Sequence, residues 1–127
     1  VKTIHITEDE SIEAQGSPMA IIEYQREFAT DKSAPNWYAD YKAALPQGEP
    51  SIAWVDNVFL AKTLWAMAQN AARINGTPRL HSFEKWFDEH PDLAAPFGVW
   101  KMEVLTAIGE ELFRTRVEKS TEGVAGE

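Results

Sequence analysis

The sequence predicts a mainly α-helical fold: a small helical bundle with a short N-terminal β-hairpin or strand. Three observations predict it. Ile4 and Ile6 alternate with Thr3, His5 and Thr7 at the start of the chain, a period of two. Residues 51–73 carry apolar side chains at about 100° per residue over nearly half the helix circumference. Turn-forming Pro and Gly punctuate the sequence around that stretch, at residues 46–50 and 75–78.

Taken in order, residues 2–7 read as a strand, residues 8–11 as a turn, and residues 12–15 as a returning strand. A lone hairpin is marginal in water, so this one must lie on helices, pair with another chain, or fray. Ser17 and Pro18 form a helix start, Ser as the cap and Pro at the first helical position. Ile21, Tyr24 and Phe28 then recur along one face until about Thr30. Trp37, Tyr41 and Leu45, four apart, predict a short second helix closed by Pro46. In the strongest element, Trp54, Leu60, Ala61, Leu64, Trp65, Met67, Ala68, Ala71 and Ala72 share one side, with Asp56, Lys62, Thr63, Gln69, Asn70 and Arg73 on the other. Its width and its alanines predict a central helix that neighbours approach closely. Residues 75–78, Asn-Gly-Thr-Pro, supply the stop. Ser82 caps a short helix carrying Phe83, Trp86 and Phe87, closed by His90 and Pro91. A last helix begins between Asp92 and Pro96 and runs to about Val117, with Phe97, Trp100, Val104, Leu105, Ile108 and Leu112 inward. The 127 residues thus form a single domain: 1–16 the β segment, 17–119 the bundle, and 120–127 a flexible tail.

Composition narrows the function classes. Twelve basic against twenty acidic residues leave a net charge of −8. That opposes binding to phosphate backbones, which rests on Lys and Arg neutralising phosphates. With no cysteine, disulfide scaffolds, thiol catalysis and Cys-based zinc sites are excluded. No apolar run approaches the roughly 20 residues of a membrane span. The three histidines lack the H-E-x-x-H spacing; a surface site of His90 with Glu84, Asp88 and Glu89 can be drawn, but a His closing a helix is explained by the last carbonyls alone. Glu110 and Glu111, and the i, i+4 pair Glu84 and Asp88, read as solvated helix faces. There is no G-x-S-x-G elbow and no glycine-rich phosphate loop. No enzyme and no cofactor is expected. One feature stands apart: Ile52, Val55 and Phe59 form a second apolar stripe on the otherwise polar side of the central helix. Either the short helices around residues 37–45 and 83–87 cover it, or it is an interface for a partner or a second copy.

Two stretches resemble a known family. Residues 17–31 carry a Ser-Pro start followed by Tyr24, Phe28 and Asp31, similar to the S/T-P and Y-x-x-x-F-G-x-D pattern of the tail assembly chaperones of long-tailed bacteriophages and prophages, with Ala29 at the usual Gly. Leu64, Trp65, Ala66, Met67 and Ala68, followed by Phe83, Glu84, Trp86 and Asp88, resemble that family's L-W-A-M-A-K and F-E-E-W-L-D segments, with Gln69 where Lys is common. Residues 36–50 form an insertion relative to the pattern. The resemblance covers about a third of the chain in the family's order. It implies a non-enzymatic factor in the host cytoplasm, absent from the mature virion, that binds tape measure and tail tube proteins during tail morphogenesis and is capable of self-association. No catalytic residues carry over, and the charge and hydropathy above lead to the expectation of no nucleic acid and no membrane partner. An acidic phage-encoded inhibitor mimicking nucleic acid is the alternative. It would need carboxylates in an ordered row.

Overall fold

A computed structural model describes residues 1–29, 36–44, 56–94 and 98–113. It is mainly helical with one short two-stranded antiparallel sheet. Strands β1 (Lys2–His5) and β2 (Ser11–Ala14) pair in the register Lys2–Ala14, Thr3–Glu13, Ile4–Ile12 and His5–Ser11. Helices α1 (Pro18–Glu27), α2 (Trp37–Ala44), α3 (Asn57–Asn75), α4 (Phe83–Glu89) and α5 (Val99–Ala107) follow, with a 3₁₀ turn at Pro91–Ala94 before α5 and a π-helical stretch, Ile108–Phe113, after it.

Helix α3 is the axle. It packs against α1, α2, α4, α5, β2 and the Pro91–Ala94 turn, and from Phe59 to Ala72 only Lys62 escapes burial. Leu60, Leu64, Trp65 and Met67 on α3 and Trp100 and Val104 on α5 are all but inaccessible. Burying a side chain of this size is worth about 1.5–3 kcal/mol, so this stripe holds the bundle together. The hairpin is not left to fray. Its inner face sends Ile4 and Ala14 into the same core, and β1 lies on α5 while β2 lies on α3.

Several expectations need correction. Thr63, Gln69 and Asn70, placed on the polar side of the central helix, are buried. Each finds a partner brought from elsewhere in the chain: Thr63 Oγ1 accepts from Trp37 Nε1 at 3.0 Å, and Gln69 Oε1 accepts from the Leu80 amide at 2.9 Å. Asn70 Nδ2 donates to the Gln15 carbonyl and to Ser17 Oγ, both at 2.9 Å. Ser17 therefore starts α1 without a side-chain cap, its oxygen being occupied by Asn70. At α4 the capping role of Ser82 passes to Glu27 of α1, whose carboxylate accepts from the Phe83 amide at 2.6 Å. Helix α1 ends at Glu27, short of Thr30, and α3 opens at Asn57 with Asp56 as its cap, the side chain accepting from the Phe59 amide at 3.0 Å. The last helix starts later than residue 96 and changes to the wider π form at Ile108. Trp54, Phe97 and the tail 120–127 lie outside the described residues.

The α3 stop is as read. Gly76 takes a left-handed φ of 71°, its amide reaches Ala72 and Arg73 carbonyls, and the Thr77 amide donates to Ala72 O at 3.0 Å. A Cβ at Gly76 meets no atom within 4 Å, so the penalty of Gly76→Ala is purely conformational. A loss of about 1 kcal/mol in urea unfolding is expected.

Candidate functional site

The predicted stripe of Ile52, Val55 and Phe59 has one described member. Ile52 and Val55 lie outside the described residues. Phe59 is buried, at 6% exposure, so the interface reading of its ring is corrected to the covered one. The cover is α2: Trp37 and Tyr41 stand 6.0 and 6.1 Å from Phe59 between ring centroids, and Tyr24 of α1 stands at 6.1 Å. Helix α4, the other short helix expected to help, instead packs Phe83 against Phe28 at 5.3 Å.

Phe59 nevertheless contributes to the wall of a cleft. Between α1, α2 and the start of α3 lies a recess of about 260 Å³, lined by Tyr24, Asp40, Ala43, Ala44, Asp56, Val58, Phe59 and Lys62. Tyr24 Oη donates to Asp40 Oδ2 at 2.8 Å. Burial, reinforced by that hydrogen bond and by the Asp40 and Asp56 charges, pushes the Tyr24 phenol far above its ordinary value. It stays protonated at neutral pH and keeps that proton on the bond to Asp40. Asp56 caps α3, and its charge opposes the fall that burial imposes on the Lys101 ammonium of α5. Lys62 lies over the Phe28 ring, 4.8 Å from its centroid. The recess thus combines apolar side chains with two carboxylates that already serve structural bonds.

The histidines settle into pairs. His5 Nδ1 meets Glu103 at 2.8 Å, His81 Nδ1 meets Glu89 at 3.0 Å, and His90 Nδ1 meets Glu10 at 3.3 Å. The drawn site of His90 with Glu84, Asp88 and Glu89 does not assemble: His90 turns to the hairpin, where Glu10 lies, and packs on Trp86. Among the described residues no group of three or more His, Asp or Glu side chains is placed to hold a metal. Glu110 and Glu111 turn to Lys2, and Glu111 also accepts from Gln15 Nε2 at 3.2 Å and from the Gly16 amide. Glu84 and Asp88 remain solvent-facing on α4. Sequence reasoning missed the intramolecular work of the acids. Glu23, buried beside Arg79 at 3.2 Å and Arg26 at 3.7 Å, is the clearest case, and its place three residues before Arg26 was the available signal.

The class these features define is a small, mainly helical domain with a clefted surface, and among the described residues no helix is long and apolar enough to cross a membrane. No protein-family model matches the chain, and no curated protein or solved structure matches it at a significant level.

Proposed function

We propose that this protein is a tail assembly chaperone of a long-tailed phage or prophage. In this reading it is non-enzymatic, binds tape measure and tail tube proteins in the host cytoplasm during tail morphogenesis, and is left out of the mature virion. The observation that carries the reading is where the family-like residues go. Tyr24 packs on Phe28 at 4.9 Å, Phe28 on Trp65 at 6.1 Å and on Phe83 at 5.3 Å, and Phe83 on Trp86 at 6.2 Å. Three short stretches, far apart in sequence, meet in one aromatic cluster. Convergence on one core is what a pattern that specifies a shared fold requires, and it supports the reading.

The charge distribution agrees. Residues 1–31 carry two basic and seven acidic groups, whereas residues 51–87 carry four basic and two acidic. The negative charge thus sits away from the central helix, as a solubilising coat around an apolar core. Exposed Tyr38, Val58, Val99 and Met102 remain as apolar contacts for a client. The nucleic-acid mimic is the weaker reading, because Glu10, Glu13, Glu23, Glu27, Asp40, Asp56, Glu89 and Glu103 are engaged within the chain rather than set in a row.

Co-expression with the tape measure protein of the same gene cluster tests the reading. The expected result is a severalfold rise in soluble tape measure protein, with the two co-purifying. A folded protein that leaves tape measure solubility unchanged, or a gene lying outside a tail operon, overturns it.

A further inference from the structure

The outer edge of β2 is open over a short stretch, and a cleft lies beside it. The Ile6 amide donates to the Glu10 carbonyl at 2.9 Å, which fixes which pairs of the hairpin exchange hydrogen bonds. By antiparallel alternation, Thr3 and His5 on β1 and Ser11 and Glu13 on β2 turn their backbone groups outward. On β1, which lies on α5, the outward His5 amide donates to the two Glu103 oxygens at 3.0 and 3.1 Å, while the outward groups of Thr3 have no partner among the described residues. Just past β2 the outward line is closed: the Gln15 amide donates to Met67 O at 3.0 Å, and its carbonyl accepts from Asn70. Between the hairpin turn and the Gln15 closure, the outward backbone groups of Ser11 and Glu13 have no partner among the described residues.

Alongside β2 runs a cleft of about 170 Å³. Ala68, Ala71 and Ala72 of α3 line it together with Ile12 and Leu80, and Glu13 accepts from Asn75 Nδ2 at its rim. An apolar cavity of about 150 Å³ accepts a benzene ring, so this space suits one branched aliphatic side chain. Alanines there allow a third strand to lie close over α3. The hairpin side is acidic: Glu8 and Asp9 are exposed in the turn, and no Lys or Arg occurs between Lys2 and Arg26, while on the helix side Arg73 and Arg79 are taken up by Asn70 and Glu23.

We propose that the β2 edge and the alanine cleft form a strand-addition site for an extended partner segment in which basic and aliphatic residues alternate. The segment's backbone pairs with Ser11 and Glu13, an aliphatic side chain enters the cleft, and basic side chains on the opposite face lie across from Glu13 and near Glu8 and Asp9. A second copy of this chain is disfavoured as the occupant, because edge-to-edge pairing of two β2 strands sets one acidic hairpin against another. The site stands on the edge and the cleft, independently of the tail-assembly reading.

The test is an NMR titration of the labelled protein at low salt with a capped seven-residue peptide alternating lysine and valine. A matching peptide with glutamate in place of lysine serves as the control. The lysine peptide is expected to slow amide exchange at Ser11 and Glu13 and to shift the Ala68, Ala71 and Ala72 methyls, and the glutamate peptide to do neither. Ser11→Pro removes an outward amide that β1 does not use, a change that strand edges tolerate, and should weaken the peptide by about tenfold. Glu13→Lys, at an exposed position, should lower affinity for the lysine peptide and raise it for the glutamate peptide. Shifts confined to Glu8 and Asp9, unchanged affinity in both variants, or absence of binding would overturn the proposal. So would protection of Ser11 and Glu13 that grows with protein concentration without peptide, since a second copy would then fill the edge.

Discussion

Phe59→Asp is expected to unfold the domain, as loss of the near-ultraviolet aromatic signal and collapse of the urea transition at pH 7. Removing a buried phenylalanine ring costs about 3–5 kcal/mol. Here the ring touches Tyr24, Trp37 and Tyr41, so its loss opens a void between α1, α2 and α3 at once. The new carboxylate would also sit close to Asp40 and Asp56, which line the same recess. Burying a charge without a partner adds further cost. A domain of this size holds about 5–15 kcal/mol in all, and the combined penalty takes most of it. Phe59→Leu keeps an apolar side chain and should cost about 1.5 kcal/mol or less, with the aromatic signal of Trp37 retained. The pair separates core from interface. Were Phe59→Asp to keep a native spectrum and lose only association, the ring would lie on the surface and the stripe through Ile52 and Val55 would regain its interface reading.

That stripe shows what sequence can and cannot carry. Apolar spacing identifies a face, and it did so for α3, for α1 and for the hairpin, where the signal is local. It does not choose between a cover and a partner: the helix around residues 37–45 is one of the alternatives, and it is the one found. Phe59 is closed over by Trp37 and Tyr41, some twenty residues upstream, whose own helix gives only a weak four-residue repeat. Polar residues mislead for the same reason. Thr63, Gln69 and Asn70 look solvated because their partners, Trp37 Nε1, the Leu80 amide and the Gln15 carbonyl, come from other segments. Turn chemistry fared better, since Gly76 and Thr77 need only the four preceding carbonyls to stop α3. The cap of α4 is intermediate: Ser82 occupies the cap position, but the carboxylate that takes the Phe83 amide arrives from α1. The β2 edge was legible only as a strand. How far it is open follows from where Met67 and Asn70 take up the Gln15 groups, and no local pattern encodes that.

Asn70→Asp exchanges one amide nitrogen for an oxygen and should nevertheless cost a large part of the domain's stability. Asn70 is fully buried, and its amide nitrogen holds the Gln15 carbonyl and Ser17 Oγ while its oxygen accepts from Arg73 Nη2 at 2.8 Å. One side chain thereby ties the end of the hairpin and the start of α1 to α3. A carboxylate has the same shape but donates nothing, and it would face the Gln15 carbonyl with like charge. Stranding a buried acceptor costs about 1–3 kcal/mol, and more beside a charge, so about 3 kcal/mol is expected at pH 7 after the gain at Arg73. The loss has a pH signature. A protonated carboxyl regains one donor for Gln15, so the introduced group has a folded pKa above its unfolded value of about 3.9. Its contribution is therefore most favourable below that unfolded value and is lost as pH rises through the folded one. Urea unfolding of wild type and variant at pH 7 and again below about pH 4 should show the gap between them narrowing in acid. Asn70→Leu, which cannot titrate, should keep a constant gap. A pH-independent deficit in Asn70→Asp would mean that packing volume, and not the donor to Gln15, is what this position supplies. In that case amide exchange in β2 would be unaffected, whereas release of the Gln15 clamp should accelerate it ahead of global unfolding.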